Sequence, residues 1–195
     1  MRCIRNDRPG PKARLWRTVS DMNDRNWALA ARRGSSAAFC QLVAVYQAGL
    51  VVFLRRLCTN PAEAEDIAQE TFLFAWRALS RFDPERSFRA WLFGIGWRKC
   101  RESRRGVFRR LRREAVAIED APSVIVTDPD DRLDLSVAIS RLAPDERGAV
   151  LLCLMAGFSH EEAAQVMDLT ARNLKTLVAR GRQKLSQIMG DDDAG

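Results

Sequence analysis

Apolar residues recur at helical spacing through most of this chain from about residue 26 onward. Phe39, Leu42, Val43, Tyr46, Leu50, Phe53, Leu54 and Leu57 predict a helix over 35–58, and Gly34 divides it from a shorter one over 26–33. Asn60-Pro61-Ala62-Glu63 predicts the next start. Asn60 can cap, Pro61 suits the first helical position, and Glu63 can reach back as in a capping box. In the helix expected over 61–80, Ile67, Thr71, Phe74, Ala75 and Ala78 share an inward side. Asp66, Gln69, Glu70 and Arg77 fall largely on the other, as an acidic-polar surface. The helix dipole accounts for Glu63 and Glu65 near the start, but not for Gln69 and Glu70 in the middle.

Asp83-Pro84 predicts another start by the same cap-plus-proline logic, with Phe88, Trp91, Leu92 and Ile95 mostly directed to a core. Gly94 and Gly96 cost a helix about 1 kcal/mol each relative to alanine, so they point to close packing or to local weakness. The continuation over 97–105 is densely basic. Over 106–131 the helical period fades in the second half, where acids and prolines predict a linker.

A second helical unit follows over 133–189. Leu133, Val137 and residues 139–142 form a short helix, and Pro144 opens another through Val150, Leu151, Leu154 and Met155. Gly157 suits a left-handed C-terminal cap, and Ser159-His160-Glu161-Glu162 reads as a capping box. Asp168-Leu169-Thr170 is a tight turn, with Thr170 able to cap the last helix over 171–188. Helix, three-residue turn, helix is the helix-turn-helix arrangement. On the last helix Leu174, Val178, Gly181 and Leu185 line one side, with Leu177 on its rim. Arg172, Thr176, Ala179, Arg180 and Gln183 point away, flanked by Asn173 and Lys175. Arginine and asparagine read guanine and adenine edges bidentately in a major groove. Arg180, Arg182 and Lys184 suit phosphates, which position without specifying.

Charge sharpens this picture. The 195 residues carry a formal +7 and a pI of about 9.7, which favours an anionic partner. The cations cluster twice, over 98–113 and over 172–184. Aromatics beside arginines in the first cluster suit capture of single-stranded DNA, where bases stack on rings while cations follow phosphates. Which aromatics face a base and which face the core stays open, with Trp91 assigned to the core.

Other chemistry finds little footing. Five scattered cysteines (Cys3, Cys40, Cys58, Cys100, Cys153) and the single His160 offer no zinc spacing, and four of the thiols fall in apolar helical patterns, so buried free thiols are expected. Redox sensing is the lesser alternative. No phosphate loop, Ser/His or Cys/His pairing marks an enzyme, and no cofactor or metal is expected. No uninterrupted apolar run reaches the roughly 18 residues of a membrane span, and the basic start lacks an apolar signal core, so a cytoplasmic location is expected.

The pattern Asp66-x-x-Gln69-Glu70-x-Phe72-x-x-x-Trp76, followed by Arg-Phe-Asp-Pro-Glu-Arg-Ser-Phe-Arg-Ala-Trp-Leu over 81–92, resembles region 2 of the small group IV (extracytoplasmic-function) bacterial sigma factors. Leu-Ala-Pro-Asp-Glu-Arg over 142–147, the Ser159 capping helix and residues 175–185 resemble region 4 of the same family. Together the resemblance spans about 26–188. It implies an all-α chain of two small helical domains, a region 2 bundle and a region 4 helix-turn-helix, joined by a flexible linker. The expected boundaries are a disordered extension over 1–22, region 2 over 23–106, the linker over 107–131, region 4 over 132–190 and an acidic tail over 191–195. The helix-turn-helix occupies about 160–179, and Met22 offers an alternative start.

The resemblance further implies roles. Asp66, Gln69, Glu70 and Phe72 would bind core RNA polymerase at the clamp of its largest subunit, with the flap region as a second contact. Phe82, Arg86, Arg98, Lys99 and Arg101 would engage the −10 element, and Arg172, Asn173, Lys175, Thr176 and Arg180 the −35 element. Relatives are often held inactive by an anti-sigma factor, commonly membrane-anchored, so such a partner is implied. Asp168 stands where the family usually has glycine, Arg172 where a small residue is common, and Leu177 where arginine is common, so the promoter sequence read would depart from the family average. An ordinary helix-turn-helix regulator is the competing reading. It needs no polymerase and leaves the 61–80 and 83–105 helices without a purpose. A protein that sequesters another factor is a third.

Overall fold

The computed structural model describes residues 23–58, 60–114 and 133–192. The expected N-terminal extension, most of the expected linker and residues 193–195 lie outside the described residues. What is described is helical and contains no strand.

The first domain opens with α1 over residues 23–32. Gly34 then takes φ +97°, a left-handed conformation that glycine adopts without a Cβ penalty, and turns the chain into α2 (Ser36–Leu57). The Ser35 side chain caps that helix by accepting from the Ala38 N–H at 3.3 Å. By length and composition α2 is the one helix among the described residues that could cross a bilayer, a property hidden from a count of uninterrupted apolar residues because Gln41 and Gln47 break the run. Its Leu42, Tyr46, Leu50, Phe53, Leu54 and Leu57 are instead buried in the domain, and α2 packs on α3 and α4.

Asn60 caps α3 (Pro61–Ala78) as expected, its Oδ1 accepting from the Ala62 N–H at 2.9 Å. Glu63 does not turn back to complete a box; it accepts from the Ser103 hydroxyl of the fourth helix. A 3₁₀ turn over Leu79–Arg81 ends the segment. The helix expected from Asp83-Pro84 begins later, at Phe88. Asp83 uses its side chain to accept from the Glu85 N–H at 3.0 Å, closing a turn. Ser87 is the cap of α4 (Phe88–Glu114), accepting from the Ala90 N–H at 3.2 Å. The 106/107 boundary therefore falls within a continuous helix.

The second domain comprises α5 (Leu133–Ser140), α6 (Pro144–Val150) with a π-helical turn over Leu151–Met155, α7 (His160–Met167) and α8 (Ala171–Asp192). Gly157 at φ +70° makes the expected left-handed turn after the π segment. The capping box before α7 is complete: Ser159 N–H donates to Glu162 at 2.8 Å, and Glu162 N–H donates to Ser159 Oγ at 3.2 Å.

The two domains pack on each other along α4, and their buried residues join into one apolar cluster. Phe93 meets Phe158 with ring centroids 5.1 Å apart. Arg89 lays its guanidinium 3.9 Å above the Phe158 ring and donates to the Ala156 carbonyl. The glycines of α4 explain themselves here. A Cβ on Gly94 would lie 3.5 Å from the Val166 carbonyl of α7, and one on Gly96 would lie 3.1 Å from Leu50 of α2. Close packing is therefore what offsets their helical cost. Trp97 is the keystone of this contact, 1% exposed, with its ring against Gly148 of α6. Burying such a side chain contributes on the order of 2–3 kcal/mol.

Candidate functional site

Three surfaces emerge. The first is the outer side of α3, where Asp66, Gln69 and Glu70 are exposed and Phe72 is half-buried against the core. Ile67, Thr71 and Ala75 face inward as expected, and the Thr71 hydroxyl is satisfied by the Ile67 carbonyl at 2.6 Å. Phe74, expected inside, is 47% exposed. It lies at the edge of the apolar stripe, and the space on the core side is filled by Ala75 and Thr71 instead. Leu73 and Trp76 are exposed beside it, and Trp76 rests on Phe39 at 5.0 Å between centroids. The α3 surface is thus acidic and apolar together. The run Phe72-Leu73-Phe74 carried that signal, since three consecutive large residues cannot all face one side of a helix.

The second surface is the basic side of α4 and the turn before it. Arg98 and Arg86 are exposed, and Arg86 lies 3.6 Å from Asp83. Arg101 is half-buried, its guanidinium 5.8 Å from the Trp97 ring centroid. Lys99 is half-buried too, 2.7 Å from Glu70 and 6.0 Å from the Phe74 ring. Phe82 does not belong to this surface. It is 3% exposed and packs among Phe88 and Trp91 at 5.5 and 5.0 Å, so its faces are spent on the core and none is left for a base. Trp97, one of the aromatics beside the arginines, is likewise covered by the second domain. Trp91, assigned to the core, remains half-buried and is the aromatic of α4 closest to solvent among its described residues.

The third surface is α8. Asp168 takes the left-handed conformation, φ 57°, and so fills the role of a turn glycine. Thr170 then caps α8 by accepting from the Asn173 N–H at 3.2 Å. Leu174, Val178, Gly181 and Leu185 are buried and Leu177 sits at the rim, which leaves Arg172, Lys175, Thr176, Ala179, Arg180 and Gln183 along the exposed face of the helix. Asn173 is exposed beside it. The Thr176 hydroxyl donates to the Arg172 carbonyl at 3.1 Å. Lys184, expected to meet phosphate, is held by both oxygens of Glu146 at 2.8 and 3.0 Å. That pair anchors α8 to α6, and Gly181 allows the approach, with Val150 only 2.6 Å from where its Cβ would be. Arg147 holds the end of α5 through the Ser140 and Leu142 carbonyls, and burial, aided by Arg104, lowers its guanidinium pKa. Among the described residues no group of three or more His, Cys, Asp or Glu side chains could hold a metal.

Comparison with known proteins joins these surfaces. Residues 42–120 match the family described as Sigma-70 region 2, and residues 132–185 match Sigma-70, region 4. RNA polymerase sigma factor CnrH of Cupriavidus metallidurans is 35% identical over 184 residues, covering 87% of this chain and 95% of that protein. The chain belongs to the extracytoplasmic-function sigma factors. Another such factor, SigE of Mycolicibacterium smegmatis, is 36% identical over 145 residues, covering 69% of this chain and 54% of that one. Among solved structures, CnrH in complex with the cytosolic domain of CnrY superposes with a TM-score of 0.69 at 34% identity, covering 87% of this chain and 99% of that one. The sigma factor RpoE in complex with the anti-sigma factor NepR from Bartonella quintana gives 0.69 at 25%, covering 78% and 96%. In sigma-factor terms, the α3 and α4 surfaces belong to region 2 and the α8 face to region 4.

Proposed function

We propose that this sigma factor carries core RNA polymerase to its promoters through a division of labour among the three surfaces. Asp66, Gln69 and Glu70 of α3, with Phe72 behind them, take the polymerase clamp. Leu73, Phe74 and Trp76 add an apolar contact beside those acids. Arg98, Lys99, Arg101 and Arg86 engage the −10 strand, following its phosphates while a base is drawn from the stack. Arg172 and Asn173 read base edges of the −35 element, Thr176 lies between them and Arg180, and Lys175 and Arg180 hold its phosphates. The observation that carries this reading is the union on one chain of a cationic helix-turn-helix face with the acidic-apolar α3 face. An ordinary regulator needs the first and has no use for the second.

The protein acts in the cytoplasm, where polymerase and promoter meet, and contributes binding energy to initiation rather than covalent chemistry of its own. An anti-sigma factor belongs among its partners. The support is that CnrH and RpoE were each solved with another protein bound, the cytosolic domain of CnrY and the anti-sigma factor NepR respectively.

Run-off transcription tests the proposal. Purified core polymerase is given DNA from upstream of the protein's own gene and other genomic fragments, with and without this chain. Start sites that require both proteins support it. Operator binding by the chain alone, with no start sites and no co-elution with core, supports the ordinary regulator instead.

A further inference from the structure

The thiols of Cys58 and Cys100 lie 3.7 Å apart, although 42 residues separate them in the chain. Cys58 is the C-cap residue of α2, half-buried, and Cys100 is in the middle of α4 at 1% exposure. Neither serves the three surfaces described above. Modest side-chain rotation closes such a separation to a bond of about 2.05 Å. The pair also sits at the seam between domains: Trp97 is one turn before Cys100, and Arg104 is one turn after it, 5.6 Å from the Trp97 ring centroid.

We propose that Cys58 and Cys100 are a redox-active dithiol, converted to a disulfide by a low-molecular-weight disulfide such as oxidised glutathione. Cys58 is the thiol that solvent reaches, and Cys100 is the one that resolves. Cys58 loses its proton to solvent as its sulfur attacks one sulfur of the small disulfide. The S–S bond of the small disulfide breaks, one small thiolate leaves and takes a proton from water, and a mixed disulfide remains on Cys58. Cys100 then loses its proton to solvent and attacks the Cys58 sulfur, which expels the second small thiolate. Two protein thiols have lost two electrons and two protons, and one small disulfide has become two small thiols.

Exposure sets this order, since Cys58 is half-buried and Cys100 is 1% exposed. The hydrogen bond from Cys58 lowers the Cys100 pKa, Arg104 and Arg147 act in the same direction, and burial and Glu63 oppose them. The same hydrogen bond, burial and Glu63 raise that of Cys58. The resolving thiol is the more readily deprotonated of the two, as its attack on the mixed disulfide requires.

The test uses the full chain with Cys3→Ser, Cys40→Ser and Cys153→Ser, equilibrated against mixtures of reduced and oxidised glutathione and then alkylated. Intact mass should show loss of two hydrogens, with Cys58 and Cys100 protected from alkylation together, and excess reduced glutathione should reverse it. Peptide mapping of the unaltered chain gives the same answer should the triple variant not fold. The further change Cys58→Ser should abolish the cross-link. A stable glutathione adduct on Cys58 without the cross-link, or no reaction at all, would overturn the proposal.

Discussion

The ammonium of Lys99 lies 2.7 Å from a carboxylate oxygen of Glu70, tying the polar face of α3 to the basic face of α4. The contact joins a residue assigned to polymerase with one assigned to DNA. Glu70 is 63% exposed at its side chain and Lys99 24%, so the pair itself contributes no more than about 1 kcal/mol to folding. Glu70→Lys should therefore leave thermal unfolding nearly unchanged. It should still lower affinity for core polymerase at least tenfold, about 1.4 kcal/mol, because it reverses charge on the clamp-facing side. Titration of labelled core with wild type and variant measures this; equal affinities would remove Glu70 from the polymerase contact.

Glycine substitutions should divide by what a Cβ would meet. At Gly148 it would lie 2.5 Å from the Trp97 ring, whose neighbours leave it no room to retreat. Gly148→Ala is expected to destabilise the chain by about 1–3 kcal/mol through overpacking, despite alanine's better helix propensity. Gly106, also helical, has nothing within 4 Å, so Gly106→Ala should stabilise by about 0.5–1 kcal/mol. Urea unfolding of both variants checks the sign of each.

On α8 the cations should separate by role. With core polymerase present, Arg172→Ala should relax base preference at one −35 position, removing about 1–3 kcal/mol of discrimination. Arg180→Ala should weaken binding across sequences and lower the salt-dependence slope by about 1. Binding measured across single-base promoter variants at several salt concentrations separates the two. If Arg172→Ala weakens all sequences equally, it holds phosphate instead.

Cys153 offers a pH test of the second domain's packing. Burial, followed by Glu161 and Glu162, pushes its thiol up to about 11. The thiolate is the reactive form, so alkylation of Cys153 should accelerate about tenfold per pH unit and level off only near that value. A plateau near the ordinary thiol value of about 8.5 would show that Cys153 is more solvated than its place in the π-helical turn allows.

Local chemistry was legible before any coordinates. Asn60, Ser159 and Thr170 cap the helices they were expected to cap, and Gly157 and Asp168 turn left-handed where the pattern required. These signals act over a few residues, so neighbouring sequence contains them. Asp83-Pro84 misled because an Asx turn and a helix cap use the same side chain, and only Ser87, four residues on, has the helix after it. Phe82 and Phe74 exchanged places relative to expectation for a different reason. An aromatic is as apolar in a turn as on a helix edge, and the inward one is chosen by its partners, here Phe88 and Trp91. The domain contact was the least legible part. Gly94 and Gly96 announced close approach, but nothing nearby in sequence named Val166, and Trp97 gave no hint of Gly148. The cysteines were expected to be buried alike, yet Cys40 is exposed and Cys58 meets Cys100 across the bundle.

This chain is expected to find DNA as part of polymerase, and retention of genomic fragments is the direct measurement of that. Fragmented genomic DNA is presented to the chain alone, to core polymerase alone and to the two together, and retained fragments are sequenced. A small set of fragments, sharing a −35 and a −10 element, should be retained only when both are present and lost with Glu70→Lys. The same fragments retained by the chain alone, with no gain from core polymerase, would contradict it.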